Sequence, residues 1–214
     1  MKTATITLVL GLAAIGAGCT TTLERSRNLA DPHVSAKTLA QQVCSNCHGI
    51  DGNSVSPNFP KLAAQQEEYL VAQLNQFKSH RREDPEGFEY MWGISRRLTD
   101  DQIKGLAAYF SAQKSVTPGP GNPKLIAEGK KIFDSGLPAQ GVPPCSTCHG
   151  DQGQGNGQFP RVAYQHSDYV IKQLTVFQRT NERPDGVAMK AITHSLSDQN
   201  MAAVAAYMQQ MPAK

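Results

Sequence analysis

Cys44-Ser45-Asn46-Cys47-His48-Gly49 and Cys145-Ser146-Thr147-Cys148-His149-Gly150 place one hexad, Cys-x-x-Cys-His-Gly, twice in the same chain. The echo continues downstream of each copy. Phe59-Pro60 answers Phe159-Pro160, and Ala63, Gln65, Tyr69, Gln73, Leu74 and Phe77 answer Ala163, Gln165, Tyr169, Gln173, Leu174 and Phe177. Further on, Met91, Leu98, Asp100 and Tyr109 answer Met189, Leu196, Asp198 and Tyr207. The spacing drifts by three residues along the way, which a few loop deletions account for. The chain therefore reads as a tandem duplication of one domain type. Residues 24–114 form the first copy and 124–214 the second, joined by the Pro- and Gly-rich linker 115–123.

Each copy has a helical pattern. Tyr69, Leu70, Leu74 and Phe77 make an apolar stripe at helical spacing, repeated as Tyr169, Val170, Leu174 and Phe177. A second stripe, Ile103, Leu106, Ala107 and Phe110, follows Thr99-Asp100 as a helix start, and Ser197-Asp198 starts its twin. A shorter helix precedes each cysteine pair, over about 35–43 and 123–134. No segment alternates as a strand would. The expected fold is all-α: two tandem domains of about three main helices each, with long loops and apolar cores thin for their size. Something besides side chains should fill those cores.

Composition narrows the function classes. In 214 residues, 39% hydrophobic and 18% charged is an ordinary globular profile, which excludes a disordered or polytopic membrane chain. Twenty-one basic against 18 acidic residues give +3, and no basic block occurs, so nucleic acid is not an expected partner. Lys2 precedes an apolar run from Ile6 to Ala17, too short to span a bilayer, and residues 1–18 read as a secretory signal. Cys19, directly after Gly16-Ala17-Gly18, resembles the lipidated cysteine of a bacterial lipoprotein. The expected location is the periplasm, membrane-attached through a lipid on Cys19.

Cys-x-x-Cys-His is the attachment signature of c-type haem: two thiols add to the two vinyl groups, and the next histidine ligates the iron. Cys44 and Cys47, then Cys145 and Cys148, would hold two covalent haems, with His48 and His149 as iron ligands. A shared zinc site would want its cysteine pairs far closer in sequence. A thioredoxin-like pair would follow a strand, and none is visible. For the sixth ligand, Met91 is the only methionine between Leu23 and Lys114, and its repeat partner is Met189. Met201, Met208 and Met211 align with Ile103, Phe110 and Gln113 and read as fillers. His/Met ligation saturates the iron and raises its potential, which suits reversible one-electron transfer rather than catalysis.

The chain resembles the dihaem cytochrome c4 family, each half being similar to a small class I cytochrome c. The resemblance rests on the two haem motifs, on Asn58-Phe59-Pro60-Lys61-Leu62 and Gln158-Phe159-Pro160-Arg161-Val162, on Tyr-x3-Gln-Leu-x2-Phe, and on Met-x6-Leu-[Ser/Thr]-Asp. It implies that the Pro60 and Pro160 carbonyls accept the second N–H of the ligand histidines. It also implies an electron carrier between a quinol-oxidising complex or dehydrogenase and a terminal haem-copper oxidase. Other functions implied by similar dihaem chains are a cytochrome subunit of a dehydrogenase and a redox enzyme of the peroxidase or thiosulfate dehydrogenase type. Arg81, Arg82 and Arg183 are candidates to face haem propionates or to lie on a solvated face.

Overall fold

The computed structural model describes residues 26–211; the signal read over 1–18 and Cys19 lie outside the described residues. Helix α1 covers 36–48, where α-helical Ala36–Leu39 and Ser45–His48 flank a π-helical stretch, Ala40–Cys44. Ser35 caps its start by accepting the Thr38 N–H. Helix α2 is Glu67–Lys78, with Glu67 and Glu68 in the first turn and Lys78 in the last, each sign on the end the helix dipole favours. Helix α3 covers 85–95 and also contains a π-helical stretch, Phe88–Trp92. Helix α4, Asp100–Ser111, starts with a full capping box between Thr99 and Gln102.

The second half follows with α5 (Pro123–Ser135), α6 (Ser146–His149), α7 (Ser167–Arg179), α8 (Val187–Thr193) and α9 (Asp198–Gln210). Asn122 caps α5 and Pro123 occupies its first turn, where the missing N–H costs nothing. Ser197 and Asn200 form the capping box of α9, at the repeat position of the Thr99 box. Among the described residues pairing of β type is limited to two isolated bridges, Leu137 with Val142 and Asn156 with Phe159. The all-α reading holds.

One core lies in each half. Leu39, Ala40, Ile103, Leu106, Ala107 and Phe110 are buried in the first, and Phe133, Ala163, Leu174, Met201, Val204 and Met208 in the second. Met201, Met208 and Met211 are indeed core fillers. In the first half α1 crosses α4 where Ala36 meets Gly105, and an added Cβ there would stand 2.6 Å from the Ala36 Cβ. In the second half the glycine has changed sides, because Gly129 of α5 lies against the Ala203 backbone of α9. Ala203 and Gly105 are repeat partners, so Gly129 plays the part of Ala36. Cys145 follows Gly129 by sixteen positions, but Cys44 follows Ala36 by only eight. The extra stretch is the loop 136–144 with its 3-10 turn Pro138–Gln140, an insertion that the repeat arithmetic did not reveal.

Two segments depart from the expected long loops. Both methionine-bearing stretches are helical, as α3 and α8. Residues 88–92 lack a clean 3.6-residue stripe, and tertiary contacts set their conformation instead. Phe88 stacks on Trp92 at 5.8 Å, and His80 meets both rings edge-on. The 115–123 segment is tied to both halves: Ser115 donates to the Ala63 carbonyl, Val116 N–H to Asn53, and Gln210 to the Gly119 carbonyl.

Candidate haem sites and the interface between them

Each histidine sits at the last position of its helix, α1 or α6, and is 7–8% exposed. His48 Nδ1 lies 2.9 Å from the Pro60 carbonyl oxygen and His149 Nδ1 lies 2.9 Å from that of Pro160. A carbonyl only accepts, so Nδ1 must donate, and Nε2 keeps its lone pair for a metal. Burial pushes both imidazoles below their usual pKa, more than the carbonyl bond raises them, which keeps that lone pair unprotonated.

The cysteines are half-buried and unpaired. Burial pushes the Cys44 thiol up to about 12 and the Cys145 thiol to about 11. Such thiols are not thiolates at neutral pH, which opposes a thioredoxin-like redox role. Among the described residues no cluster of three or more His, Cys, Asp or Glu could hold a metal ion, which opposes zinc.

Met91 lies in α3 and Met189 in α8, both half-buried, Met189 against the second core. Four residues after each stands a fully buried hydroxyl that sequence reasoning passed over. Ser95 Oγ donates to the Met91 carbonyl at 2.6 Å, and Thr193 Oγ1 to the Met189 carbonyl at 2.7 Å. They are repeat partners, and the signal was a hydroxyl retained at one position in both copies. Trp92 and Lys190, which follow the methionines, differ in role: Arg96 lies 5.1 Å from the Trp92 ring, whereas Lys190 binds the Thr180 carbonyl and Asn181.

Between the halves lies a polar interface with pseudo-twofold reciprocity, the pattern expected when one surface patch meets its own copy. Gln165 accepts the Lys61 N–H at 2.8 Å and donates to the Lys61 carbonyl at 3.0 Å. Gln65 makes the same two bonds to Arg161, at 2.6 and 3.0 Å. Gln66 donates to the Gln154 carbonyl, and His166 Nε2 bonds the Ser54 carbonyl. Arg82, 5% exposed, grips Asp84 with two nitrogens, at 2.6 and 3.2 Å, and reaches Gln73 and Gln173. Arg183 reaches the same two glutamines and Tyr69. The guanidiniums lie over Phe77 and Phe177, at 4.5 and 4.4 Å from the ring centres. Arg81 alone of the three is mainly solvated, on Asp185.

Among the described residues, this interface carries more buried positive charge than its one buried carboxylate, Asp84, can balance. Among the described side chains, no carboxylate pairs with Lys61 or Arg161. Burial alone pulls Arg161 down to about 10. The Nε atoms of Arg161 and Arg183 are buried without a hydrogen-bond partner. Orphaned guanidinium donors leave a place for an acceptor from outside the chain, and haem propionates have the matching chemistry. With thiols, imidazole and thioether in each half, the residues present fit haem c. The signal for Lys61 and Arg161 in the sequence is a basic residue retained at that position in both copies.

Asp84 makes the interface acid-sensitive. Burial would raise its pKa, but the hydrogen bonds from Arg82 and the charges of Arg82 and Arg183 hold the carboxyl below its usual range. A carboxyl depressed by folding stabilises at pH above its unfolded value of about 3.9, and that stability fades as pH falls through the lower folded value. Thermal unfolding followed from pH 7 to pH 2 should therefore show a loss of stability below about pH 4. Asp84→Asn should lower stability at pH 7 and flatten this acid dependence; an unchanged acid limb would remove Asp84 from that role.

Comparison with known proteins agrees with this geometry. The sequence profile of the family described as Cytochrome c matches residues 34–114 and 126–212. The chain is 41% identical to Cytochrome c4 of Azotobacter vinelandii over 78% of its own length and 83% of that protein. It is 31% identical to a Thiosulfate dehydrogenase electron acceptor of Stutzerimonas stutzeri, over 78% of each. The crystal structure of reduced recombinant cytochrome c4 from Pseudomonas stutzeri superposes with a TM-score of 0.74 at 38% identity, covering 86% of this chain and all of that one. Two family matches, one over each haem motif, and close relatives spanning both halves establish that the chain belongs to the cytochrome c4 family and carries two covalently bound haem c groups.

Proposed function

We infer that this electron-transfer cytochrome is a respiratory carrier of the periplasm, passing single electrons from a quinol-oxidising complex or dehydrogenase to a terminal haem-copper oxidase. Cys44 and Cys47 would hold the first haem and Cys145 and Cys148 the second; His48 with Met91, and His149 with Met189, would supply the iron ligands. When bound, haem c supplies reversible one-electron chemistry at iron. Pro60 and Pro160 orient the imidazoles, and Ser95 and Thr193 hold the methionine backbones. Lys61, Arg161 and Arg183 would offer their unbalanced charge to the propionates. Cys19 carries the lipid that keeps the protein at the membrane.

The observation that carries this reading is that both halves keep the whole donor set: Cys-x-x-Cys-His, a prolyl carbonyl on Nδ1, and a methionine braced by a buried hydroxyl. An enzyme of the peroxidase or thiosulfate dehydrogenase type needs one half to depart from it. The test is redox titration of the purified protein, with each haem followed spectrally and CO offered to the ferrous form at neutral pH. Two high-potential waves and no CO binding are expected; rapid CO binding at one haem would favour an enzyme. Extraction from membranes should require detergent, and Cys19→Ser should release or misprocess the protein; an unmodified N-terminus beyond residue 19 would refute the anchor.

A second reading has a specific support. The similarity to a thiosulfate dehydrogenase electron acceptor favours a dehydrogenase as direct donor. Reduction by such a dehydrogenase with thiosulfate, faster than by a quinol-oxidising complex, would select it.

A further inference from the structure

The hydrogen bond that orients each histidine ends on a peptide group held by the opposite half. His48 Nδ1 donates to the carbonyl of Pro60, and the N–H of that same peptide unit belongs to Lys61, which donates to Gln165 Oε1. In mirror fashion His149 donates to the Pro160 carbonyl, and the Arg161 N–H of that peptide donates to Gln65 Oε1. Each chain of bonds therefore runs imidazole, peptide, side-chain amide, and crosses from one half to the other at the amide.

The glutamines are held for this. Both are 4–5% exposed, and each Oε1 also accepts the N–H of the next residue, Gln66 or His166. The partners leave no choice of amide orientation, because Oε1 faces backbone N–H groups and Nε2 faces a carbonyl. The residue before each glutamine, Ala64 or Tyr164, sits in the left-handed region, with φ of 54° and 60°. That conformation costs about 1–2 kcal/mol for a residue with a Cβ. Its N–H is tied to the end of the last helix, through the Phe110 carbonyl in one half and the Met208 carbonyl in the other. A strain repeated in both copies marks a position that function holds in place.

We propose that Gln165 is a positioning residue for the first haem and Gln65 for the second, so that each half tunes the iron ligand of the other. Accepting a hydrogen bond from the peptide N–H draws electron density toward its carbonyl oxygen. That strengthens the imidazole Nδ1–H bond to the carbonyl, makes Nε2 a better donor and favours ferric iron. Closure of the interface thus sets both potentials together. The inference rests on His48 and His149 being the iron ligands, as proposed above.

The test uses the full-length holoprotein. In a Met189→His background only the first haem should keep its high-potential wave, and in Met91→His only the second. A background that fails to lose a wave counts against the methionine ligands, and so is distinct from a failure of the glutamines. Gln165→Met should raise the first midpoint, increasing its reduced-to-oxidised ratio about twofold to threefold at fixed ambient potential, and leave the second unmoved. Gln65→Met should do the reverse. In the ferrous wild-type background, nuclear magnetic resonance should show the His48 Nδ1 proton moving upfield in Gln165→Met while that of His149 stays. Should the methionine variant not fold, Gln165→Glu keeps a stronger acceptor in place, and the His48 proton should move downfield and the first midpoint should fall. Movement in the variant's own half, in both halves alike, or in neither, overturns the proposal.

Discussion

Met91→His should lower the midpoint potential of the first haem by a sizeable part of the roughly 0.8 V range over which axial ligands set haem potentials. The second haem should stay nearly where it was. The thioether stabilises ferrous iron relative to imidazole, so the exchange favours the ferric state. Met91 is half-buried in α3, and its backbone is held by Ser95, which is fully buried, so the helix that presents residue 91 has a fixed anchor. Potentiometric titration with spectral resolution of the two haems is the measurement. An unshifted first haem would exclude Met91 as a ligand.

Gly129→Ala should unfold the second half and deprive it of haem while the first half still matures. A Cβ at position 129 would overlap the Ala203 carbonyl and come within 2.9 Å of the Tyr207 Cβ. The obstacle is helix backbone, which cannot rotate away. We expect a loss of about 3 kcal/mol or more, at the upper end for overpacked cores. Gly105→Ala should be milder, because there the added methyl meets a single atom, the Ala36 Cβ at 2.6 Å, which a small shift between the two helices can relieve. Haem content per chain, with thermal unfolding of both variants, checks the pair; equal losses would show that the two crossings are equivalent after all.

Much of the candidate site is legible in the amino-acid sequence, for a physical reason. Covalent attachment needs two thiols and a histidine within five consecutive residues, so that part of the site is local in the chain and visible as a motif. Duplication then separates Met91 and Met189 from the other methionines. The capping residues Thr99 and Ser197 are legible too, since a cap acts within three residues. The features that the sequence conceals are non-local. The inserted loop 136–144 lies upstream of the motif, where the two copies no longer align. The helix under Met91 is held by contacts from outside it, such as those of His80 with Phe88 and Trp92, rather than announced by periodicity.

The sequence by itself determined the all-α class, the duplication and the two haem motifs, because each is written in residue type and spacing along the chain. Only the tertiary structure decided how the copies face each other. Lys61 and Gln165 stand 104 residues apart, and Arg161 and Gln65 stand 96 apart, yet they share hydrogen bonds. Arg82 could have been a solvated surface residue, as Arg81 is, had the fold not buried it beside Asp84 and the glutamines of both halves. A charge or an amide has no fixed role until burial removes water and leaves its protein partners as the only ones available.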